Sequence, residues 1–191
     1  MYDFIIKNAR IIDGTSAPWF RGSVAVKDGK IAEIGPAHGK LMQEAAEVVD
    51  GQDLYLAPGF IDMHSHSDTA LPKYPLEESR ILQGVTTEIG GNCGISAAPV
   101  SMNADRKKQL KDYVGDLDYT WNTVGEYLDA MEAKGISTNL GMVTGHGTVR
   151  IAAMGFENRK ADVYHRRIIE KHIRNVPHKC LTAGIKQHRS V

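Results

Sequence analysis

The sequence predicts an α/β protein in which a small β unit precedes strands that alternate with helices. The first part of the chain consists of short β-branched stretches separated by turn residues, with Asp28-Gly29 as a typical hairpin turn. From Pro58 onward, apolar strand patterns alternate with amphipathic helix patterns, which indicates a parallel sheet covered by helices. The first of these later strand patterns ends in two histidines, so we expect the chemistry of the chain at the end of this strand.

Two units follow from this change of pattern, residues 1–57 and residues 58–191. The strands of the first unit are expected to form a small meander. In the second unit, alternation of strands and helices is expected up to a basic helix at 164–174. The predicted strands are 4–12, 23–26, 31–35, 48–51, 54–56, 60–63, 85–89 and 137–144, and the other predicted helices are 76–83, 104–115 and 123–134.

Composition favours an ordinary soluble globular chain. The 191 residues carry 23 Lys and Arg against 23 Asp and Glu, so there is no electrostatic reason to expect nucleic acid or an anionic membrane as partner. The N-terminus has an early acid and no basic leader, and no stretch approaches the roughly 18 apolar residues of a membrane span. We expect a cytoplasmic protein, and because its two cysteines lie far apart, a disulfide is the less favoured use for them.

His64 and His66 are the first candidate metal ligands. Alternate residues of a strand point to the same face, so the two imidazoles are expected to project together and form half of a metal site. Pro58-Gly59 interrupts regular secondary structure before this strand, and residues 60–63 are expected to be buried. The alternative is a pair of solvated loop histidines.

Two stretches carry a resemblance to a known family. Pro-Gly-Phe-Ile-Asp-Met-His-Ser-His at 58–66 resembles the metal-binding signature of the amidohydrolase superfamily. Gly-Val-Thr-Thr-Glu-Ile-Gly-Gly-Asn-Cys-Gly-Ile-Ser-Ala-Ala-Pro at 84–99 is similar to the N-acyl-D-amino-acid deacylase (D-aminoacylase) branch. In that branch a cysteine in this loop bridges the metals, so the resemblance implies Cys93 as a ligand beside His64 and His66. The alternative for Cys93 is a buried structural thiol.

The resemblance covers roughly residues 2–160 and refines the expected fold. It implies an incomplete (β/α) TIM-type metal-dependent hydrolase barrel preceded by a small β-sandwich portion, with a divergent tail at about 160–191. Such a barrel typically needs about 250 residues, so the chain is expected to be an N-terminal portion, truncated and with little or no activity by itself. The general-base aspartate is expected beyond the chain end, and no catalytic residue is therefore assigned.

The function that the resemblance implies is zinc-dependent hydrolysis of an N-acyl-D-amino acid to a carboxylate and a free D-amino acid. One or two zinc ions would activate water and the acyl carbonyl. A Gly-His-Gly-x-x-Arg loop makes His146 and Arg150 candidates for substrate binding, with a turn histidine and a surface arginine as the alternative. The other hypothesis is a non-catalytic fragment that binds metal or a partner through the remaining motif and the basic tail. Acyl specificity, metal count and oligomeric state stay open.

Overall fold

The computed structural model describes residues 1–36 and 45–175, which divide into two compact units at Pro58 and Gly59. This division lies one residue from the boundary expected from the sequence. The assignment of the units as a sandwich portion and a barrel portion stays a prediction.

The strands of the first unit are β1 Tyr2–Ile11, β2 Phe20–Lys27, β3 Lys30–Gly35, β4 Ala45–Asp50 and β5 Tyr55–Leu56. They form a sheet with the strand order β3-β2-β1-β4, and β5 also pairs with β1. Asp28 and Gly29 join β2 to β3 with positive φ angles of 51° and 70°, as a two-residue hairpin turn requires. The expected meander is wrong for the last two strands. Because β2 occupies one edge of β1, β4 and β5 pair in parallel with its other edge.

The elements of the second unit are β6 Phe60–Asp62, α1 Ser67–Ala70, α2 Glu78–Ile81, β7 Val85–Gly90, α3 Ala104–Val114, α4 Val124–Lys134, β8 Asn139–Met142, α5 His146–Met154 and α6 Val163–Arg174. The strands form a parallel sheet with the order β6-β7-β8, and the helices lie between and after them in sequence. The expected loop at 145–150 is wrong, because a helix begins at His146 directly after Gly145.

Helix α4 contributes four buried residues to the main hydrophobic cluster of the second unit. Thr123 and Glu126 form a capping box at its start, and Gly135 ends it in a left-handed conformation. The predicted apolar face is confirmed, and it packs with Leu110 and Trp121. Its buried residues are Val124, Tyr127, Leu128 and Met131.

Strand β6 differs from the expected buried strand. Phe60 and Ile61 are 62% and 60% exposed. The reason is that β6 pairs only with β7 within the described residues, so it lies at the edge of the parallel sheet. Its register with β7 still places the residues after Asp62 beside those after Glu88, at the carboxyl ends of the two strands.

The basic helix expected at the end of the chain is confirmed as α6. Residues 176–191, with the basic tail proposed as a partner-binding segment, lie outside the described residues. In the part of the chain that the structure describes, no helix has the length and apolar character to cross a bilayer. The cytoplasmic location stays a prediction.

Candidate metal centre

Three predicted ligands meet at the carboxyl ends of the parallel strands. His64 and His66 follow β6, Cys93 follows β7, and one ligand atom from each lies within 4.8 Å of the others. The His64 Nε2 atom is 3.1 Å from the Cys93 Sγ atom. All three side chains are exposed, so Cys93 is not the buried thiol of the alternative interpretation. Two imidazoles and a thiolate are donors that suit zinc, and three protein ligands leave a position for water or substrate.

The loop that carries Cys93 requires residues with left-handed backbone conformations. Gly91, Cys93 and Gly94 have φ angles of 79°, 55° and 78°. The Asn92 side chain fixes the loop to both strand ends, since its Nδ2 donates to the carbonyl oxygens of Ile89 at 2.7 Å and Ser65 at 3.2 Å. The asparagine next to the cysteine therefore joins the loop to the segment between the histidines.

The start of helix α5 supports the other side of this loop. The carbonyl oxygen of Gly94 accepts from the amides of Gly147 at 2.9 Å and Thr148 at 3.3 Å. These amides lie in the first turn of the helix, where backbone donors lack partners within the helix. The Ser96 amide also donates to Thr148 Oγ1 at 2.9 Å. The third strand end thus contributes backbone support to the site.

The two predicted substrate-binding residues lie on α5, outside the group of ligand atoms. His146 is the first residue of the helix and is exposed. It lies beside the Cys93 loop, because the amide of the next residue, Gly147, donates to the Gly94 carbonyl oxygen. Arg150 donates from Nη2 to the carbonyl oxygens of Glu157 at 2.7 Å and Arg159 at 3.1 Å. These bonds stabilise the turn after α5. A substrate-binding role for either residue stays a prediction.

A buried carboxyl network lies beneath the histidine segment and was not found from the sequence. Glu88 is fully buried and accepts from Ser65 Oγ at 3.0 Å and from Thr138 Oγ1 at 3.3 Å. Its Oε1 is also 3.6 Å from Arg80 Nε, and Arg80 pairs with Asp62 at 2.8 Å. Through Ser65, which stands between the two histidines, this network contacts the candidate metal-binding motif. The network holds this residue, and with it the backbone that carries both imidazoles.

A cavity of about 410 Å³ adjoins the histidines and is of a size that suits a small ligand. Polar and charged side chains form much of its lining, including Glu77 and Arg80. Burial and the neighbouring Glu88 carboxyl raise the pKa of Glu77 to about 8. A protonated Glu77 side chain is able to donate a hydrogen bond to Glu88.

The raised pKa of Glu77 predicts a stability that falls with pH. Between its ordinary pKa of 4.5 and about 8, the folded chain holds a proton that the unfolded chain has lost, so the free energy of unfolding should decline across this window. In Glu77→Gln the decline should be shallower, because the amide donates to Glu88 without titrating. Urea unfolding at a series of pH values checks this. The control is Glu78→Gln at the exposed neighbouring position, and a slope equal to that of wild type in Glu77→Gln would contradict the assignment.

Parallel strands with imidazole and thiolate donors at their carboxyl ends define an α/β protein with a candidate metal centre. The amidohydrolase family model matches residues 47–190. The chain belongs to the amidohydrolase family, as the resemblance of the two motifs predicted.

Two relatives in the family are deacylases of N-acyl-D-amino acids by name. The chain is 37% identical over 161 residues to an N-acyl-D-aspartate deacylase of Alcaligenes xylosoxydans xylosoxydans, covering 83% of this chain and 31% of that protein. It is 37% identical over 155 residues to a D-aminoacylase of the same organism, covering 80% of this chain and 31% of the relative. The chain thus spans about a third of the length of the curated relatives it matches.

Solved structures agree with this placement. A crystal structure of D-aminoacylase matches with a TM-score of 0.74 and 30% identity, covering 90% of this chain and 35% of the other. An N-acyl-D-glutamate deacylase of Bordetella bronchiseptica, complexed with zinc and a phosphonate inhibitor, matches with a TM-score of 0.74 and 32% identity over the same shares. Zinc is therefore a metal of this family, as predicted.

Proposed function

We propose that this chain supplies the N-terminal part of a zinc-dependent hydrolase of N-acyl-D-amino acids, which yields a carboxylate and a free D-amino acid. The observation that carries the proposal is the meeting of His64, His66 and Cys93 within 4.8 Å. Support comes from the deacylases that the chain resembles over most of its length.

In this proposal the three side chains hold zinc at the carboxyl ends of β6 and β7. Zinc, when bound, supplies Lewis-acid activation of water and of the acyl carbonyl. Glu88 and Ser65 keep the two imidazoles in place, and Asn92 and the first turn of α5 do the same for the cysteine. The cavity beside the histidines gives room for a small substrate. His146, at the rim of the Cys93 loop, is a candidate to contact it.

We further propose that the 191 residues by themselves have little or no turnover. The group of ligand atoms found within the described residues consists of two imidazoles and one thiol, so it offers no carboxylate as general base. The family resemblance implies an aspartate for that task and further histidines, which the remaining two thirds of a deacylase would supply.

A chimera tests the proposed activity. Residues 1–175 replace the matching N-terminal part of the N-acyl-D-aspartate deacylase, and release of D-aspartate from its N-acyl derivative is measured with and without zinc. We expect zinc-dependent release from the D substrate but not from its L enantiomer, and none from the His64→Ala, His66→Ala double variant of the chimera.

Two outcomes of this experiment would contradict the proposal. A folded chimera that binds zinc but hydrolyses no N-acyl-D-amino acid would favour the non-catalytic metal-binding alternative. Measurable turnover by the isolated 191-residue chain would contradict the proposed inactivity while supporting the hydrolase itself.

A further inference from the structure

Asp68 joins the histidine segment to the cysteine loop through both of its carboxylate oxygens. It is fully buried in α1, two residues after His66. Its Oδ1 accepts from the Gly91 amide at 3.0 Å, and its Oδ2 accepts from the Ala97 amide at 2.8 Å. These two amides lie at opposite ends of the loop that carries Cys93. One buried side chain therefore closes the loop at both ends.

We propose that Asp68 is a positioning residue that fixes the Cys93 thiol relative to His64 and His66. The inference rests on the proposed metal centre and assigns to Asp68 the task of assembling it. The loop needs hydrogen bonds that hold its backbone in place, because Cys93 has a left-handed backbone conformation. Residues other than glycine rarely adopt this conformation unless the surrounding structure imposes it. Hydrogen bonds from amides to a carboxylate are stronger than those to a neutral acceptor, so an aspartate is well suited to hold the loop in this conformation.

The side chain of Asp68 is closely packed against the backbone of β7. A side-chain carbon added to Gly90 would lie 2.8 Å from Asp68 Oδ1 and 2.9 Å from its Cβ, so the aspartate lies directly against the backbone of β7. Asparagine has the shape to fit here, but one of its two terminal atoms is a donor. It would face an amide N–H with an NH₂ group and release one end of the loop.

A neighbouring hydrogen bond offers a matched control. Tyr127 is buried in the same core and donates from its hydroxyl to the main-chain carbonyl oxygen of Asp68 at 2.8 Å. Tyr127→Phe removes a buried hydrogen bond at the same residue but leaves both bonds of the carboxylate to the loop. Any effect of general destabilisation around α1 should therefore appear in both variants.

Cobalt titration of the reduced full chain tests the inference, because cobalt reports its ligands spectroscopically. The thiolate-to-cobalt charge-transfer band reports Cys93, while the d–d bands report bound cobalt as a whole. For Asp68→Asn we expect a weakened charge-transfer band with d–d bands retained at saturation. Affinity should fall about 10- to 100-fold, as is usual when a residue supporting a ligand is lost. Tyr127→Phe should retain the wild-type spectrum, and Cys93→Ser marks complete loss of the charge-transfer band.

The outcomes separate the role of Asp68 from the metal centre itself. An Asp68→Asn chain with the wild-type band and an affinity within about twofold of wild type would overturn the inference. So would equal loss of the band in Asp68→Asn and Tyr127→Phe at matched folded fractions, since that result indicates general destabilisation. A wild-type chain that binds no cobalt would overturn the metal centre, and the role of Asp68 with it.

Discussion

Gly91→Ala is expected to lower the free energy of unfolding of the second unit by at least about 4 kcal/mol, in the range reserved for severe steric changes. The added carbon would lie 1.8 Å from the carbonyl oxygen of Val143, and the residue has a φ angle of 79°. The backbone has little room to move away. The Val143 amide is bonded to the Gly90 carbonyl oxygen at 3.0 Å, and the Gly91 amide is held by Asp68.

Urea unfolding followed by the fluorescence of Trp121 measures this effect. The chain has two tryptophans, so a Trp19→Phe background leaves Trp121 as a reporter buried in the second unit. The control is Gly94→Ala, which has a similar φ angle of 78° but a nearest neighbouring atom at 3.7 Å. It should lower the free energy of unfolding by only about 1–2 kcal/mol, the cost of a left-handed backbone conformation at a residue with a side chain. Equal losses from the two variants would show that the overlap with Val143 is not the cause.

Cys93→Ser is expected to reduce zinc affinity at least about 100-fold, beyond what loss of a supporting residue usually costs. The thiolate is the one soft ligand of the three, and its removal leaves two exposed imidazoles. Competition with a chromophoric chelator measures the change. The control is Cys180→Ser, which removes the other thiol of the chain and should leave affinity unchanged. An equal loss in the control, or no loss in Cys93→Ser, would remove Cys93 from the proposed ligands.

Local patterns in the sequence were sufficient to predict the strands and helices that bring the candidate ligands together. The face of α4 and its stop at Gly135 follow from helical periodicity and from the freedom of glycine to adopt a positive φ angle. The proximity of His64 and His66 was expected from the alternation of side chains along a strand, and their ring centroids do lie 6.1 Å apart, although both residues follow the end of β6. The parallel arrangement of β6 and β7 follows from the strand–helix alternation, and it places the Cys93 loop beside the histidines.

Contacts between distant parts of the chain determine what the sequence could not predict. Glu77, Glu88 and Thr138 come from three separate segments, so no local pattern predicts that their side chains share hydrogen bonds. The stretch from Gly145 resembles a loop because it contains two glycines. It begins a helix because its first-turn amides have a partner in the carbonyl oxygen of Gly94. Similarly, the exposure of β6 depends on how many strands flank it, which its own residues do not encode.

The mixed pairing of β1 has a consequence for the order in which the first unit forms. Its antiparallel neighbour β2 and the following β3 are close in sequence, so these three strands can associate once residue 35 has left the ribosome. The parallel neighbours β4 and β5 require closure of a longer segment of chain, which costs more entropy and is slower. During translation the second edge of β1 therefore stays incompletely paired until Leu56 has left the ribosome.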